Sequence, residues 1–416
     1  MEIKRTLHLN RLIDSKHNGM IKIITGIRRC GKSYLLFKLF YDYLKSEGVD
    51  DTHIIKVDLE DRRKKELRAP DALIAYIDGH MKDAQMYYIL LDEIQLVSEF
   101  EDVLNSYLKV ANADIYVTGS NSRFLSKDVV TEFRGRGEEI RLSPLSFCEF
   151  FSVYDGTREQ ALEDYMTYGG MPMTVGMSDT RKVEYLKGLF QKTYLSDIKE
   201  RYKIKNDDEF EELINIIASS IGGLINPNKL ENTFKSVKNV TLTKPTIKSY
   251  LDILQDVFLL EKSIKYDIKG KKYIDTPAKY YFCDTGLRNA RLNFRQTEAT
   301  HLMENLIYNE LRVRGHSVDV GVVVVNGKDG EGKSIRKQLE VDFVCNQGSK
   351  RCYIQSAFRL TTEEKREQEL RSLKSIDDSF SKVVITGEHI KRYQDDNGVI
   401  FINIYNFLLD YDSLLI

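Results

Sequence analysis

Between Ile21 and Phe150 the chain alternates short apolar runs with segments of helical spacing. The apolar runs end in polar residues, whereas segments such as YLLFKLFYDYL repeat apolar residues with the period of a helix. This alternation predicts a parallel sheet wrapped by helices, and therefore an α/β fold class. The predicted strands are IKIIT, HIIKVDL, YYILLDE, DIYVTGS and EEIRLSPL.

The pattern becomes helical after residue 155. TREQALEDYMTY and, after YGGMP, RKVEYLKGLFQKTYLSDIKERY predict a small helical lid. Three short helices and two strand-like runs around Gly270 then predict a winged helix. The remainder mixes the helix HLMENLIYNELRVRG with strands such as LEVDFVC, and its glycine-rich, charged stretch 326–337 predicts a solvated hairpin loop. The predicted domains are 1–155 (sheet core), 156–205 (lid), 206–275 (winged helix) and 276–416 (a further α/β unit).

Composition limits the class of protein. A chain of 416 residues is long enough for two to four compact units. Its 62 Lys and Arg nearly cancel its 63 Asp and Glu, so attraction to nucleic acid must come from local basic faces. Five scattered cysteines predict reduced thiols in a cytoplasmic protein. The absence of a long apolar run predicts that the chain is neither exported nor membrane-spanning.

A phosphate-binding motif follows the first predicted strand. Gly26, Gly31, Lys32 and Ser33 have G-x-x-x-x-G-K-S spacing between a strand and an amphipathic helix. Glycines let backbone amides curl round phosphates, the lysine neutralises the β and γ oxygens, and the serine hydroxyl binds Mg²⁺. The motif therefore predicts an ATP site. Other expected nucleotide contacts within and beside the loop are Arg28, Arg29, Cys30 and Tyr34. For the two arginines a neighbouring subunit or nearby acids are alternative partners.

Two acidic residues end the strand YYILLDE. Asp92 is expected to hold Mg²⁺ through water, and Glu93 to act as the general base toward the attacking water. The alternative is that these acids cap a helix. Having both carboxylates favours hydrolysis over binding alone, so the expected cofactors are ATP and Mg²⁺.

Further polar residues follow the strand DIYVTGS. Ser120 and Asn121 are candidates to orient the attacking water, although Gly-Ser-Asn is also a good turn. Arg134 and Arg136 lie in a glycine-flanked segment suited to presenting a guanidinium to a γ-phosphate, with Arg136 the first choice. The alternative is that both arginines pair with nearby glutamates in solvent.

Several motifs together resemble a known family. GIRRCGKS, LLDEIQ, TGSNSRFL, FRGRGEEIRLSPLSFCEF and YGGMP are similar to the AAA-type ATPases of bacteria and archaea, members of the AAA+ superfamily that carry a C-terminal DUF4143 region. The resemblance implies an AAA+ core with a helical lid, a winged-helix middle and a restriction-endonuclease-like C-terminal domain. By similarity the glycines, lysine and serine of GIRRCGKS contact phosphate, Asp92 and Glu93 form the acidic pair, and Arg136 is the arginine of the GR motif.

The C-terminal unit resembles the PD-(D/E)xK arrangement of Mg²⁺-dependent nucleases. Glu304, Asp342 and Gln355 fall where its acidic residues and its E/Q-x-K strand would be, but the lysine position is Ala357. Without that cation the site is expected to bind metal weakly and to catalyse poorly. A degenerate site, structural or used for docking nucleic acid, is therefore favoured over an active nuclease.

The winged helix supplies the candidate DNA contacts. Its third helix and its hairpin carry residues suited to a groove and to phosphates, namely Lys244, Thr246, Lys248, Lys269, Lys271 and Lys272. Any solvated face also shows such lysines, and winged helices serve as protein–protein modules too. The leading hypothesis is an ATPase that engages DNA, with homo-oligomerisation left open. The alternatives are an ATP-driven signalling or defence switch acting on a protein partner, and an ATP-gated nuclease.

Overall fold

The computed structural model describes residues 2–119, 133, 135–237, 242–328 and 334–414. The chain divides into two compact units: Met1–Leu145 with Asp256–Phe258, and Ser146–Gln255 with Leu259–Ile416. The second unit holds the segments predicted as lid, winged helix and C-terminal unit. The four-part division made from the sequence stays a prediction.

The first unit has a parallel sheet, as the sequence predicts. In the described part of this unit the strands are β1 (Ile21–Thr25), β2 (Ile54–Asp58), β3 (Tyr87–Asp92), β4 (Ala113–Thr118) and β5 (Gly137–Arg141). They lie in the order β2-β3-β4-β1-β5, and every neighbouring pair is parallel. Strands β1 and β3 are buried along their whole length, as strands of a sheet covered on both faces are. The α/β fold class is confirmed for this unit.

Helices cover this sheet. Their bounds are Thr6–Asp14, Lys32–Tyr34, Leu35–Phe40 (π-helical), Tyr41–Ser46, Pro70–His80 and Phe100–Tyr107, with 3₁₀ turns at Asp51–His53, Arg62–Arg68 and Ile94–Leu96. Apolar residues of Pro70–His80 and Phe100–Tyr107 pack with alternate residues of β2, β3 and β4 in one core. Parallel strands end at a common edge, so β1, β3 and β4 bring their last residues close together.

The second unit begins with helices whose starts are marked in the sequence. Ser146 and Thr157 each form a capping box with the Glu or Gln three residues later. The helices are Phe147–Phe151, Arg158–Tyr168, Pro172–Thr174 (3₁₀), Asp179–Gly188, Leu189–Leu195 (π-helical), Ser196–Tyr202, Asp207–Ser219, Pro227–Val237, Lys244–Asp256, Thr285–Arg291, Ala299–Val313, Glu363–Lys374 and Ile404–Leu409. The helical segments predicted from the sequence are confirmed.

A large mixed sheet follows these helices. Its described strands are β6 (Leu224–Ile225), β7 (Leu260–Asp267), β8 (Lys272–Phe282), β9 (Ser317–Lys328), β10 (Ser334–Gln347), β11 (Lys350–Ala357), β12 (Ser381–Thr386), β13 (Tyr393–Gln394) and β14 (Val399–Asn403). The hairpin β7-β8, predicted as a wing, pairs through β7 with β9 and so belongs to this sheet. The hairpin predicted around 326–337 is confirmed by the antiparallel pair β9-β10, but the bounds of its loop are wrong, because strand pairing continues to Lys328 and Ser334.

Candidate functional site

The loop from Gly26 to Gly31 connects β1 to the helix that begins at Lys32. At Gly26 φ is +140°, and a Cβ atom there would lie 2.1 Å from the carbonyl oxygen of Leu142. At Gly31 φ is +103°. Glycine alone adopts such conformations readily, so the path of the loop requires both glycines. The spacing of the motif is thus explained by backbone geometry before any ligand is considered.

Lys32 is buried under this loop. Its Nζ donates hydrogen bonds to the carbonyl oxygens of Gly26 at 3.1 Å and Ile27 at 3.3 Å. The ammonium therefore lies within the curve of the loop, where the motif predicts a contact with phosphate. Among the described residues the hydrogen-bond partners of this ammonium are neutral carbonyls, so its charge is not compensated by them and favours an anion.

Arg5 supports the same loop from the N-terminal segment. Its guanidinium donates to the carbonyl oxygen of Cys30 at 3.1 Å and to that of Ser143 at 2.7 Å. The Cys30 side chain is also buried, and its Sγ lies 3.4 Å from the carbonyl oxygen of Leu142. Cys30 thus packs inside the protein beneath the loop. The sequence gives no local signal for Arg5, which precedes the motif by a whole helix.

Asp92 lies at the end of β3, almost fully buried. Its carboxylate accepts a hydrogen bond from the hydroxyl group of Thr118. Burial raises the pKa of Asp92, while Thr118 and the nearby Ser33 side chain work to lower it. The structure therefore brings together Ser33 and Asp92, the two residues predicted to bind magnesium, although one lies on the helix after β1 and the other at the end of β3.

Thr118 connects both acidic residues. Besides donating to Asp92, its Oγ1 accepts a hydrogen bond from the backbone N–H of Glu93 at 3.0 Å. Glu93 has a left-handed backbone, with φ of +53°, and its carboxylate accepts from the side-chain amide of Gln95. Thr118 is not among the residues that the sequence predicts for the site. Its signal is its place at the end of β4, which lies between β1 and β3.

The remaining residues of the loop point outward. Arg28 forms a 3.6 Å ion pair with Glu60, which is the nearby-acid alternative. Arg29 is exposed with φ of +68°, and Tyr34 is exposed on the first helical turn. Arg29 and Tyr34 are therefore at the surface around the loop, whereas Arg28 is half-buried and paired.

Arg136 lies at the other edge of the sheet. It immediately precedes β5, whose first residue, Gly137, is aligned with Ile21 at the start of β1. The phosphate loop follows the last residue of β1, so the whole strand separates it from Arg136. The other residues predicted here lie outside the described part of the chain: Ser120, Asn121 and Arg134.

A second group of charged residues is buried in the other unit. The structure brings Glu304 and Asp342 together around the ammonium of Lys279, which lies 2.8 Å and 3.4 Å from their oxygens. Glu340 contacts the same ammonium at 2.7 Å. Gln355 lies beside them, with its Oε1 3.4 Å from the backbone nitrogen of Asp342. Lys279 is not predicted by the sequence, because it comes from the hairpin strand β8 rather than from the strand that holds Ala357.

The predicted DNA-contacting residues are at the surface of the second unit. Lys248 is exposed and Lys244 and Thr246 are half-buried on the helix Lys244–Asp256, and the hairpin turn exposes its lysines. Lys248 also helps to lower the pKa of Asp275 on β8, after the hydrogen bond from Lys262. The turn lysines are Lys269, Lys271 and Lys272, of which Lys269 forms a 3.3 Å ion pair with Asp377.

Family comparisons identify two segments. Residues 18–151 match a family described as AAA domain, and residues 159–298 match a domain of unknown function, DUF8612. The AAA domain implied by the resemblance is confirmed. For the region after it, the match is DUF8612, and the DUF4143 assignment stays a prediction. In the part of the chain that the structure covers, no helix is both long and apolar enough to cross a bilayer.

Whole-chain relatives occur in bacteria and archaea. An uncharacterized protein of Haemophilus influenzae is 33% identical over 98% of this chain and 98% of its own length. One from Methanocaldococcus jannaschii is 29% identical over 89% of this chain and 81% of its own. Among solved structures, AMPPCP-bound DnaA from Aquifex aeolicus is 12% identical over 61% of this chain and 89% of that chain, with a TM-score of 0.29. With a TM-score this low, the similarity supports no conclusion about the fold or the function of this chain.

Proposed function

This chain belongs to the family of the Haemophilus influenzae protein and has an AAA domain at residues 18–151, and on that premise we propose that it binds and hydrolyses Mg·ATP. The observation that carries the proposal is that the hydrogen-bonded pair Thr118 and Asp92 lies next to Ser33 and beside the loop that encloses Lys32. It joins a cation for phosphate to hard oxygen ligands for a metal.

The residues present fit both cofactors. Magnesium prefers oxygen ligands, and Ser33 and Asp92 offer a hydroxyl and a carboxylate that already meet. When bound, Mg²⁺ supplies positive charge that stabilises the transferring phosphoryl group. The positive φ angles of Gly26 and Gly31 let the loop backbone curl, as a phosphate-binding loop requires, and Lys32 provides the matching charge.

Glu93 is the proposed general base. Its position directly after Asp92 places a second carboxylate at the same sheet edge, and Thr118 fixes its backbone amide. A base held in this way accepts a proton from a water molecule without first changing backbone conformation. The roles of Ser120 and Asn121 in orienting that water, and of Arg134, stay predictions.

Two substitutions test the nucleotide site. Lys32→Ala is expected to weaken ATP binding, whereas Glu93→Gln is expected to keep binding and to stop turnover. Isothermal titration calorimetry and phosphate release measure the two effects separately. Lys38→Ala is the matched control, because Lys38 is half-exposed on the following helical turn and pairs with Asp42. Unchanged ATP affinity in Lys32→Ala, or wild-type turnover in Glu93→Gln, would refute the assignment.

For the second unit, our proposal is that its lysines engage DNA phosphates. It is supported by the exposed Lys248 on the helix Lys244–Asp256 and by the exposed lysines at the turn of the hairpin β7-β8. A triple Lys269→Ala, Lys271→Ala, Lys272→Ala variant is expected to weaken binding to forked and linear DNA. Its plot of log K against log salt should be shallower by about one for each phosphate that the protein no longer neutralises.

The control and the nucleotide dependence decide between DNA and a protein partner. Lys109→Ala, in the other unit, should leave the salt dependence unchanged. Filter binding with and without ATP shows whether the nucleotide changes the affinity for DNA. Salt-insensitive or absent binding would contradict the DNA role and leave the switch acting on a protein partner as the better hypothesis. The winged-helix and restriction-endonuclease-like assignments, the helical lid and the cytoplasmic location stay predictions.

A further inference from the structure

The buried cluster around Lys279 has an unusual balance of charge. Three carboxylates, from Glu304, Glu340 and Asp342, contact one ammonium, and the Lys279 side chain is 1% exposed. A lysine ammonium has three N–H donors. Two of them donate to Glu304 at 2.8 Å and Asp342 at 3.4 Å, and Glu340 forms an ion pair with the same ammonium at 2.7 Å, so the ammonium is surrounded by carboxylates.

The cluster connects three elements of the sheet and its covering helix. Lys279 belongs to β8, Glu340 and Asp342 to β10, and Glu304 to the helix Ala299–Val313. All three carboxylates lie within 3.4 Å of the ammonium nitrogen, and such close pairing with opposite charge compensates a buried charge. The lysine is therefore charged, and it occupies the point where the carboxylates converge.

The carboxylates have further partners that fix them around this point. Glu304 Oε1 also accepts a hydrogen bond from the Tyr281 hydroxyl at 2.7 Å, and Asp342 Oδ2 accepts from the backbone N–H of Ser356 at 2.9 Å. Magnesium would need carboxylate oxygens at about 2.0–2.1 Å in octahedral geometry and would keep several waters. An ammonium already at the centre leaves no such place, and bringing a dication beside it costs repulsion in a buried site.

The metal implied by the PD-(D/E)xK resemblance therefore does not fit these residues. Among the described residues no group of three or more His, Cys, Asp or Glu is arranged to hold a metal ion. We propose that Lys279 is a built-in cation that takes the place of a divalent ion, so that the cluster holds β8, β10 and the helix together and does not support metal-dependent cleavage. The lysine that the nuclease motif would have at Ala357 is absent, but Lys279 from strand β8 brings an ammonium to the same carboxylates.

The proposal predicts that removing the ammonium creates a metal site. Lys279→Met keeps an unbranched side chain, one atom shorter, but leaves three carboxylates without a cation. The test uses nucleotide-free protein carrying Asp92→Asn, so that the other predicted metal site is disabled. The probe is Tb³⁺, a hard cation whose emission is excited through a nearby tyrosine such as Tyr281. We expect emission, and a melting temperature that rises with Tb³⁺ concentration, in Lys279→Met but not in its parent.

Two matched variants show where the cation binds. Adding Asp342→Asn to Lys279→Met removes one carboxylate and should abolish the emission. Lys279→Arg keeps a positive charge and should behave like the parent. A folded Lys279→Met protein that binds no Tb³⁺ would overturn the proposal.

A second measurement does not require Lys279→Met to fold. Mn²⁺ is titrated into the parent, which keeps Lys279, and into the parent carrying Asp342→Asn. Equal affinities support the proposal, whereas a decrease of about tenfold or more in Asp342→Asn would show that a metal binds beside the ammonium and would overturn it. Mg²⁺-dependent DNA cleavage that disappears in Asp342→Asn would overturn it as well.

Discussion

Thr118 connects the two acidic residues of the nucleotide site through its hydroxyl group. It donates to the Asp92 carboxylate and accepts from the backbone N–H of Glu93. Thr118→Val keeps the shape of the side chain but leaves that amide without its acceptor. The loss of such a buried hydrogen bond costs about 1–3 kcal/mol. If this cost is added to the activation free energy of hydrolysis, turnover should decrease by about tenfold to a hundredfold, and ATP binding should be retained.

The serine variant separates the hydroxyl from the methyl group. Thr118→Ser restores the donor and the acceptor and should recover most of the turnover that Thr118→Val loses. Steady-state phosphate release and calorimetric ATP binding measure both proteins. Wild-type turnover in Thr118→Val would show that the hydroxyl has no role beyond packing.

Arg5 offers a second test at the level of one side chain. Its guanidinium donates hydrogen bonds to the carbonyl oxygens of Cys30, in the loop, and of Ser143, after β5. Arg5→Met removes both bonds, so the loop should lose order and ATP affinity should decrease by about tenfold. Lys4→Met is the control, because Lys4 is exposed next to it. An unchanged ATP dissociation constant in Arg5→Met would contradict a positioning role.

Whether the sequence can identify a pair of interacting residues depends on how far apart the two residues lie in the chain. The residues from Gly26 to Ser33 form a local motif, and the spacing of its residues is enough to predict the shape of the loop. Thr118 and Asp92 are 26 residues apart, and Arg5 and Cys30 are 25 apart. Lys279 and Asp342 are 63 residues apart and come from different strands. Such pairs are set by strand order, which no local pattern contains.

At the scale of elements, helices with polar caps are the ones best predicted. The helix Arg158–Tyr168 begins one residue after Thr157, whose hydroxyl and the Gln160 side chain form the capping box. The hairpin β7-β8 was also predictable as two strands around a glycine. Its parallel pairing with β9 was not, because that pairing depends on residues about fifty positions further along the chain.

The short helix Thr285–Arg291 is joined to the preceding helical region by a buried acid. Asp284 accepts backbone hydrogen bonds from Gly170 at 2.7 Å and from Leu287 at 2.9 Å. A Cβ atom on Gly169 would lie 2.2 Å from the same carboxylate, which explains why the first glycine of YGGMP is needed. Burial raises the pKa of Asp284 from 3.8 to about 6, although the backbone hydrogen bonds work to lower it.

This shift predicts a pH dependence of stability. The pKa is higher in the folded than in the unfolded protein, so the folded state binds more protons between these values. Stability from this group is therefore complete below the unfolded pKa and is lost as the pH rises through about 6. The stability of the wild type relative to Asp284→Asn should decrease by up to about 3 kcal/mol between pH 4 and pH 7.

Urea unfolding followed by circular dichroism measures this difference. The amide of Asp284→Asn does not titrate in the range, so the pH-dependent part belongs to the carboxyl group. Asp155→Asn, at an exposed position, is the control and should show the same pH dependence as the wild type. A wild-type minus Asp284→Asn difference that stays constant with pH would rule out the raised pKa.

At the scale of the whole molecule, strand direction decides where Arg136 can act. The parallel alignment of Ile21 with Gly137 places Arg136 at the start of β1, whereas the phosphate loop follows Thr25 at its end. Five residues of strand span about 16 Å. A side chain at the starting edge does not reach the loop of its own sheet across that length. If Arg136 contacts a γ-phosphate, the phosphate must be bound by a second copy of the chain.

Mixed oligomers test this geometry. Arg136→Ala and Glu93→Gln are each expected to be inactive alone, because every site then lacks one of the two groups. In an equal mixture, a site with intact Glu93 can meet a neighbour with intact Arg136. Random head-to-tail assembly makes about a quarter of the sites complete, so about a quarter of the wild-type turnover should return.

The controls distinguish the remaining outcomes. Arg63→Ala serves as the matched arginine variant and should leave turnover unchanged, because Arg63 is exposed and pairs with Asp61 outside the phosphate loop. Native mass spectrometry establishes that mixed oligomers have formed. Full activity of Arg136→Ala alone would remove its role as a finger. Inactive Arg136→Ala without recovery in proven mixed oligomers would mean that it acts within its own subunit, in conflict with the direction of β1 and β5. Recovery would make an oligomer the functional form, since no single copy then contains a complete hydrolytic site.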